Sequence, residues 1–133
     1  MKLEIVTPQR VVLTKEAEEV EVPCKLGYVG ILPGHTPFFS LLGMGELWFR
    51  KGTERGSLFV NGGYMDVLPD KVTILADEVV EAGELSLREL EEQKRAQEAT
   101  VQKGLKGEVS VEEFHKALET LRRLQVLLSL AKS

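Results

Sequence analysis

Proline is confined to the first two thirds of the chain, and this asymmetry constrains the fold more than any other feature. All five prolines and ten of the twelve glycines lie in residues 1–84, whereas residues 85–133 contain no proline. Proline breaks helices and removes a donor from central strands. We therefore expect two regions: a turn-rich domain over residues 1–84 and a helical arm over residues 85–133.

Composition and charge exclude several classes of protein. Hydrophobic residues make up 43% of the 133 residues and charged residues 29%, which is typical of a globular chain. The formal net charge is -4, from 17 Lys and Arg against 21 Asp and Glu. Because nucleic-acid binding depends on cationic surfaces, we expect no nucleic-acid partner.

Cysteine usage and the start of the chain indicate an intracellular protein. The single Cys24 cannot form an internal disulfide, and one cysteine with two histidines is too few for a four-ligand zinc site of these residue types. We expect no metal. The chain starts without the apolar stretch of a secretory signal, and no apolar run approaches the ~20 residues of a membrane span. We therefore expect no direct membrane insertion.

The first region alternates apolar and polar residues with a period of two. Leu3 and Ile5 alternate with charged residues, and so do Val20 and Val22. This pattern is typical of half-buried antiparallel strands. Further β-favouring runs, bounded by turn residues that include the pair at 62–63, lie at 47–49, 58–60, 65–68 and 72–75. The spacing of roughly ten residues predicts an all-β sandwich or barrel of about 80 residues.

The second region predicts an antiparallel two-helix hairpin. Ser86 with Glu89 and Ser110 with Glu113 form two capping boxes, each of which begins a stretch rich in helix formers. We expect helices at about 86–103 and 110–131, the first ending at Gly104.

Apolar residues are distributed differently in the two predicted helices. The first helix has almost none in its middle, so burial can stabilise it only weakly. The end of the second helix is apolar around nearly its whole circumference, over Leu124, Val126, Leu127, Leu128, Leu130 and Ala131. One short neighbouring helix could not cover all of these side chains, which indicates a second surface for a partner.

Catalytic motifs are missing from the sequence. It has no phosphate-binding glycine loop, no nucleophile elbow and no HExxH helix. Cys24 with His35 is the one pair that could form an activated thiolate, but a lone cysteine at a strand end is more often an inert small hydrophobe. His115 is predicted to be a structural residue that packs at the surface or at the edge of the core. We expect no catalytic site.

The segment over residues 27–42 contains two prolines and three glycines together with aliphatic and aromatic residues. Because proline removes ladder donors, the segment predicts an ordered loop rather than a plain strand. Two interpretations stand side by side: its apolar residues fill the domain core, or they face a partner.

Three stretches of this sequence resemble signatures of the epsilon subunit of F-type ATP synthase, whose mitochondrial counterpart is the delta chain. They are Gly30-Ile31-Leu32-Pro33-Gly34-His35-Thr36-Pro37, Asn61-Gly62-Gly63-Tyr64-Met65-Asp66-Val67 and Lys71-Val72-Thr73-Ile74-Leu75-Ala76-Asp77. The resemblance covers the whole chain, including the change from strands to helices near Leu85.

The resemblance implies a sandwich of about ten strands in two sheets and a place at the foot of the rotating central stalk. It implies that the sandwich packs on the gamma subunit and on the ring of c subunits, coupling rotation to ATP synthesis. Tyr28, Val29, Leu32 and His35 would face the c-ring. The expected location is the cytoplasmic face of the bacterial plasma membrane, as a peripheral, non-catalytic subunit of the complex.

The resemblance also implies a regulatory role for the helical hairpin. In this family the hairpin lies folded on the sandwich or extends along gamma toward the alpha and beta subunits, where it restrains ATP hydrolysis. The expected inhibitory helix has Arg122 and Arg123 facing acidic groups of beta, whereas Leu124, Leu127 and Leu128 would be covered by gamma.

One family motif, which binds ATP at the start of the first helix, is degenerate in this chain. Its Asp, Arg and Ala positions are occupied by Ser86, Glu89 and Leu90. A carboxylate in place of a cation opposes a triphosphate. We expect no cofactor, with a weak ATP site using Arg95 and Arg122 as the alternative.

A second hypothesis follows from the residues alone. The chain would be a β-sandwich binding module whose helical arm dimerises through Leu118, Leu121 and Leu128. This hypothesis predicts a stable dimer, whereas the first predicts a monomer that binds a gamma-like protein.

Overall fold

A computed structural model describes residues 1–132 and contains eight strands and two helices. The bounds are β1 Lys2–Val6, β2 Val11–Glu16, β3 Glu19–Cys24, β4 Gly27–Ile31, β5 Phe38–Leu41, β6 Met44–Lys51, β7 Glu54–Leu68, β8 Lys71–Glu81, α1 Leu87–Leu105 and α2 Val111–Lys132, with a 3-10 turn at Ala82–Glu84. Two compact units result, one over Met1–Ala82 and one that begins at Gly83. The last residue of the predicted arm, Ser133, lies outside the described residues.

Strands β5 and β6 together run alongside β7 as if they were one broken strand. The first half of β7 pairs with β6 and its second half pairs with β5, in a single continuous register. At the break, the Leu42 amide donates to the Gly63 carbonyl at 2.9 Å and the Gly62 amide donates to the Gly43 carbonyl at 3.0 Å. We call this line, residues 42–43 and 62–63, the crease.

The sheet folds over at the crease into two layers. The first layer, in spatial order, contains β2, β1, the first half of β8, the second half of β7, and β5. The second layer contains the remaining halves of β8 and β7, then β6, β3 and β4. The long strands thus contribute to both layers, so eight strands supply ten strand segments. The prediction of an all-β sandwich followed by a helical hairpin is confirmed.

A single hydrophobic core lies between the layers. Leu3, Ile5 and Ile74 from the first layer and Val20 and Leu47 from the second are completely buried. Their inward positions follow the period-two alternation that the sequence displays. Among residues 1–132 no polar or charged residue is buried, so the side chains that fill the space between the layers are apolar.

Glycine is required at position 63 for two separate reasons. Its φ is 107°, in the region that residues with a Cβ rarely adopt. A Cβ added there would also collide with the carbonyl oxygen of Leu75 on the neighbouring strand. The crease therefore depends on the missing side chain of Gly63.

Two predictions about the first region were wrong in detail. The segment at 27–42 contains β4 and β5 rather than only a loop, because Pro33 and Pro37 lie between these strands and leave their ladders intact. The pair at 62–63 does not end a strand either. Since glycine tolerates a positive φ, β7 bends there and continues to Leu68.

Both helices of the hairpin begin at the serines that the capping boxes predict. The Ser86 hydroxyl accepts from the Glu89 amide at 3.3 Å, and the Ser110 hydroxyl accepts from the Glu113 amide at 3.1 Å. These bonds satisfy amides that have no partner within their own helix. Local capping therefore fixes where each helix starts.

The predicted end of the first helix at Gly104 was wrong, because Gly107 ends the helix instead. Gly107 has a φ of 72° and its amide donates to the Gly104 carbonyl at 3.1 Å, while the Glu108 amide donates to the Lys103 carbonyl at 2.9 Å. This pair of bonds is the Schellman motif of a helix C-terminus. Gly104 has a packing role, since a Cβ on it would collide with the Phe114 ring of α2.

We expect Gly63→Ala to destabilise the sandwich by about 3 kcal/mol or more, because it combines the left-handed backbone penalty with an overlap against backbone atoms. Gly27→Ala is the matched control. Gly27 has a φ of 128°, but a Cβ there meets no atom within 4 Å. Urea unfolding monitored at Trp48 compares the two variants, and equal losses would show that the crease requires no close approach.

We expect Gly104→Ala to loosen the hairpin, although alanine ordinarily stabilises a helix by about 1 kcal/mol relative to glycine. The added methyl overlaps the Phe114 ring, so amide hydrogen exchange in α1 and α2 should speed up by about tenfold. The double variant Gly104→Ala/Phe114→Ala removes the overlap and serves as the control. Slower exchange in the single variant would contradict this packing role.

Candidate docking surface

An apolar row crosses the outer face of the first layer from one edge to the other. It consists of Leu41 on β5, Tyr64 on β7, Leu75 on β8, Val6 on β1 and Val11 on β2, each directly opposite the next in the strand registers. Tyr64 and Leu75 are 47% and 46% exposed, and Leu41 and Val11 are exposed as well. Strand spacing gives the row a length of about 19 Å. We call these five residues the apolar row.

Carboxylates flank the apolar row on both sides. Asp66 and Glu4 lie on the same outer face, one step along β7 and β1, and Glu4 pairs with Lys71 at 4.0 Å. Asp77 is exposed on the opposite side of the row, one step beyond Leu75 on β8. The apolar surface is therefore narrow, widened at its β5 end by the exposed Phe39 opposite Asp66. Asp66 lies on one margin and Asp77 on the other, while Lys71 pairs with Glu4 and Lys25 lines a hollow with Asp77.

Tyr64 stands between two hollows of this face. One hollow, of about 350 Å³, is lined by Val6, Pro8 and Leu75. The other, of about 330 Å³, is lined by Leu41 and Lys25. Tyr64 and Asp77 line both hollows.

The Tyr64 ring is held in place by a neighbouring aromatic side chain. The Phe39 ring stacks on it with centroids 5.6 Å apart and an angle of 26° between planes. Stacked aromatic pairs add about 0.5–1.5 kcal/mol beyond their burial. A rigid exposed aromatic pair is the kind of anchor that protein interfaces use most.

Tyr28, which the family resemblance assigned to the c-ring surface, also ties two strands together. Its hydroxyl donates to the Glu46 carbonyl at 3.0 Å and accepts from the Glu46 amide at 3.2 Å. Partial burial raises the pKa of Tyr28 above its ordinary value of 10.0. The hydrogen bond to the Glu46 backbone lowers this pKa, whereas the carboxylates of Glu46 and Glu21 raise it. Tyr28 thus joins β4 to β6 across Pro23.

The other three residues assigned to that surface have different surroundings. Val29 is half-buried and packs on the core, and Leu32 is exposed just beyond β4. His35 is half-buried, and its Nδ1 lies 2.7 Å from the Thr36 carbonyl oxygen. The turn between them is anchored, because the Gly34 amide donates to the Pro69 carbonyl at 2.8 Å. Tyr28 and Leu32 thus offer the exposed apolar area.

The residues assigned to the inhibitory helix divide by exposure. Arg122 is exposed and Arg123 is half-buried. Leu124, Leu127 and Leu128 are buried. A partner could therefore reach these three leucines only after the hairpin changes its conformation.

The same burial bears on the dimerisation hypothesis. Leu118 and Leu121 are half-buried and Leu128 is buried, so this conformation does not offer them as an open seam.

Positions of the degenerate ATP motif have structural roles in α1. The Ser86 hydroxyl caps the helix, and Leu90 is the one buried residue of α1. Arg88, one position from the family's arginine, pairs with Glu92 at 3.3 Å. Arg95, offered above as a second-choice ATP ligand, is exposed. The prediction that no cofactor binds stays a prediction.

Cys24 lies in surroundings that disfavour a thiolate. It is buried at the end of β3, and burial raises the pKa of its thiol, against the lowering effect of a hydrogen bond with the Ser40 side chain. A raised pKa keeps the thiol protonated and unreactive near neutrality. The Cys24/His35 hypothesis thus lacks the activated nucleophile it requires.

Within residues 1–132 there is no group of three or more His, Cys, Asp or Glu side chains that could bind a metal ion. No helix in that range is both long enough and apolar enough to span a membrane.

The apolar row is not evident from the period-two alternation, which predicts polar residues at the outward positions of the strands. Val11, Tyr64 and Leu75 interrupt this alternation, because each directly adjoins an inward apolar residue. Such doubled apolar positions in otherwise alternating strands could have indicated an apolar outer face.

Fold and surface together define a class of protein: a β-sandwich with an apolar outer face, followed by a helical arm. Comparisons with known proteins identify the family. Residues 1–82 match the model of the beta-sandwich domain of the ATP synthase delta/epsilon chain. The ATP synthase epsilon chain of Herpetosiphon aurantiacus is 40% identical over 99% of this chain and 94% of its own length.

Two solved structures have a similar fold. One chain of the Euglena gracilis mitochondrial ATP synthase, in an OSCP/F1/c-ring structure, has a TM-score of 0.82 at 19% identity, covering 96% of this chain and 78% of that one. A chain of the Tetrahymena thermophila central stalk and c-ring has a TM-score of 0.62 at 14% identity, covering 98% and 96%.

The chain belongs to the delta/epsilon chain family of ATP synthase. The family predicted from the signature stretches is confirmed. The prediction of a subunit of ATP synthase that is not itself catalytic is confirmed as well.

We expect Tyr28→Phe to lower the free energy of unfolding by about 1 kcal/mol at pH 7, because it removes the hydroxyl that bonds to both backbone groups of Glu46. Because the pKa of Tyr28 is raised in the folded state, its protonated hydroxyl stabilises the folded chain below pH 10. This stabilisation is lost as the pH rises through the folded-state pKa of Tyr28, so the difference in unfolding free energy between Tyr28→Phe and the unmodified chain should shrink above pH 10. Urea unfolding against pH measures both effects.

Tyr64→Phe is the control for Tyr28→Phe, since the Tyr64 hydroxyl has no hydrogen-bond partner among residues 1–132. It should leave the free energy of unfolding at pH 7 unchanged. Equal changes in unfolding free energy for the two variants would show that the Tyr28 hydroxyl does not stabilise the sandwich through its hydrogen bonds to Glu46.

Proposed function

We propose that this chain is a rotor subunit of the ATP synthase central stalk, fixed to the gamma subunit through the apolar row. The observation that carries the proposal is that five exposed or half-exposed apolar side chains form one line across a whole sheet layer. Monomeric soluble proteins rarely expose such a continuous apolar surface without a partner. Membership of the family makes a central-stalk subunit the partner that fits.

The second proposed contact is with the c-ring, through the exposed side chains of Tyr28 and Leu32. The Gly34 and Tyr28 hydrogen bonds anchor this segment at both ends. A rigid contact is what transmission of torque between the c-ring and gamma requires, because a slack contact would dissipate rotation. On this proposal the sandwich couples rotation of the ring to ATP synthesis.

The third element of the proposal is regulation by the hairpin. The hairpin forms a compact unit of its own from Gly83 onward, and α1 buries only Leu90. Few buried apolar contacts make α1 easy to displace, whereas the five buried residues of α2 would need a new partner surface once the hairpin extends. When it extends, Leu124, Leu127 and Leu128 are covered by gamma, and Arg122 and Arg123 face acidic groups of the beta subunit, which restrains ATP hydrolysis.

We also place the chain at the cytoplasmic face of the bacterial plasma membrane, as a peripheral part of the complex, and assign it no bound nucleotide. The glutamate at position 89 and the use of Ser86 as a helix cap support the second assignment. Isothermal titration of the purified chain with ATP tests it, and millimolar or tighter binding would contradict it.

We expect Leu75→Glu to weaken binding to purified gamma by about tenfold or more, because it places a charge at the centre of the apolar row. Leu32→Glu is the matched control: it adds the same charge at a similarly exposed leucine outside the row. It should leave gamma binding intact but lower proton-coupled ATP synthesis in the complete enzyme. Surface plasmon resonance measures the affinity, and equal losses in both variants would overturn the assignment of the row to gamma.

Removing residues 85–133 should leave assembly and coupling largely intact and should raise ATP hydrolysis by the complete enzyme several-fold. The physical reason is that the extended arm contacts the catalytic subunits, whereas the sandwich has its own core. ATPase assays on membranes that contain the truncated or the full chain provide the measurement. An unchanged hydrolysis rate would contradict the inhibitory role.

A further inference from the structure

We infer that the apolar row receives an amphipathic α-helix of the partner, laid across the strands and carrying Lys or Arg on both margins of its apolar stripe. This inference rests on the proposed function, since it specifies what the gamma subunit would present at the same surface.

The spacing of the apolar row favours a helix. Neighbouring strands lie about 4.8 Å apart, so the row offers a side chain at that interval. A helix laid along the row repeats its apolar side chains every turn, or 5.4 Å, which is close to the 4.8 Å interval of the row. A strand laid in the same direction places one side chain on each face only about every 6.7 Å, which matches the interval less well. A helix of about 13 residues spans the 19 Å of the row.

The carboxylates fix the direction of the helix. A helix parallel to the strands along β7 would cover Asp66 and remove it from water, whereas Glu4 on β1 already pairs with Lys71. Burying a charge without a partner is strongly unfavourable. A helix that crosses the strands covers only the row, so the carboxylates stay at its margins.

Charge complementarity then specifies the polar flanks of the helix. Asp77 lies beyond one margin of the row and Asp66 beyond the other, and residues 1–84 carry 13 Asp and Glu against 8 Lys and Arg. Cations beside the apolar stripe would face these carboxylates. Charged rims chiefly raise association rates and select among partners.

The two hollows beside Tyr64 supply the anchoring sites. The first, between Val6 and Leu75, and the second, beside Leu41, lie on either side of the tyrosine along the row. An apolar side chain of the helix would fill the first hollow, whose lining is mainly apolar. A second side chain, one or two turns away, would enter the other hollow beside Leu41, where Lys25 and Asp77 also line the wall. The Phe39–Tyr64 stack forms a fixed ridge between the anchors.

Site-specific photo-crosslinking in assembled ATP synthase tests the inference. The photoreactive residue p-benzoylphenylalanine replaces Leu41, Tyr64, Leu75 and Val11 one at a time, and mass spectrometry locates the captured residues. We expect four adducts in one gamma segment, in the order of the row. Those from Leu41, Tyr64 and Leu75 should lie three or four residues apart, and the one from Val11, two strands beyond Leu75, six or seven residues further on. A spacing of two residues, scattered segments, crosslinks to a second copy of this chain, or no adduct would each overturn the inference.

The same experiment separates this inference from the proposed function. Variants that fail to co-purify with ATP synthase, although they fold, contradict both. Variants that co-purify normally but give adducts of the wrong spacing contradict the helix alone.

Charge reversal provides a second test of the margins. Asp66→Lys and Asp77→Lys should each slow association with purified gamma about tenfold at low salt. The difference in association rate between each variant and the unmodified chain should become smaller as the salt concentration rises. Asp70→Lys, in the turn between β7 and β8, makes the same change in net charge and should alter the rate less than twofold. Equal effects at all three positions would overturn the proposed basic flanks.

Discussion

The close approach of Gly63 to the Leu75 carbonyl is the constraint on which the rest of the sandwich depends. Because no side chain separates them, β7 bends at the crease without losing its register with β8, and one hydrogen-bonded sheet supplies both layers. The bend brings β5 beside the second half of β7 and completes the first layer. The apolar row exists only because these strands align in that layer, so a backbone requirement at one glycine determines the docking surface.

The two units are stabilised in different ways, and the difference fits their proposed roles. The sandwich has a single apolar core, and no polar or charged residue is buried within residues 1–132. The hairpin depends on serine caps, a Schellman motif and the contact of Gly104 with Phe114. α2 adds five buried apolar side chains, whereas α1 buries only Leu90. The proposed division into a docking body and a movable arm is consistent with this difference.

Sequence periodicity predicted the sandwich, the hairpin and both helix starts, because alternation and capping are local signals. It could not predict the crease, since glycines in a turn and glycines in a bent strand look alike until the partner strand is known. Gly104 was assigned to the helix end for a similar reason: its Phe114 contact is tertiary. The apolar row was missed because Leu41, Tyr64 and Leu75 come together only through strand pairing.

Hydroxyl-radical footprinting of the free chain and of the chain in an F1 complex without the c-ring tests the docking surface most directly. Docking of gamma on the apolar row predicts that oxidation of Tyr64 and Phe39 falls at least several-fold on assembly. Tyr28, which we propose faces the c-ring, should be oxidised equally in both samples. Unchanged oxidation of Tyr64 and Phe39, with protection elsewhere on the sandwich, would contradict the docking surface described above.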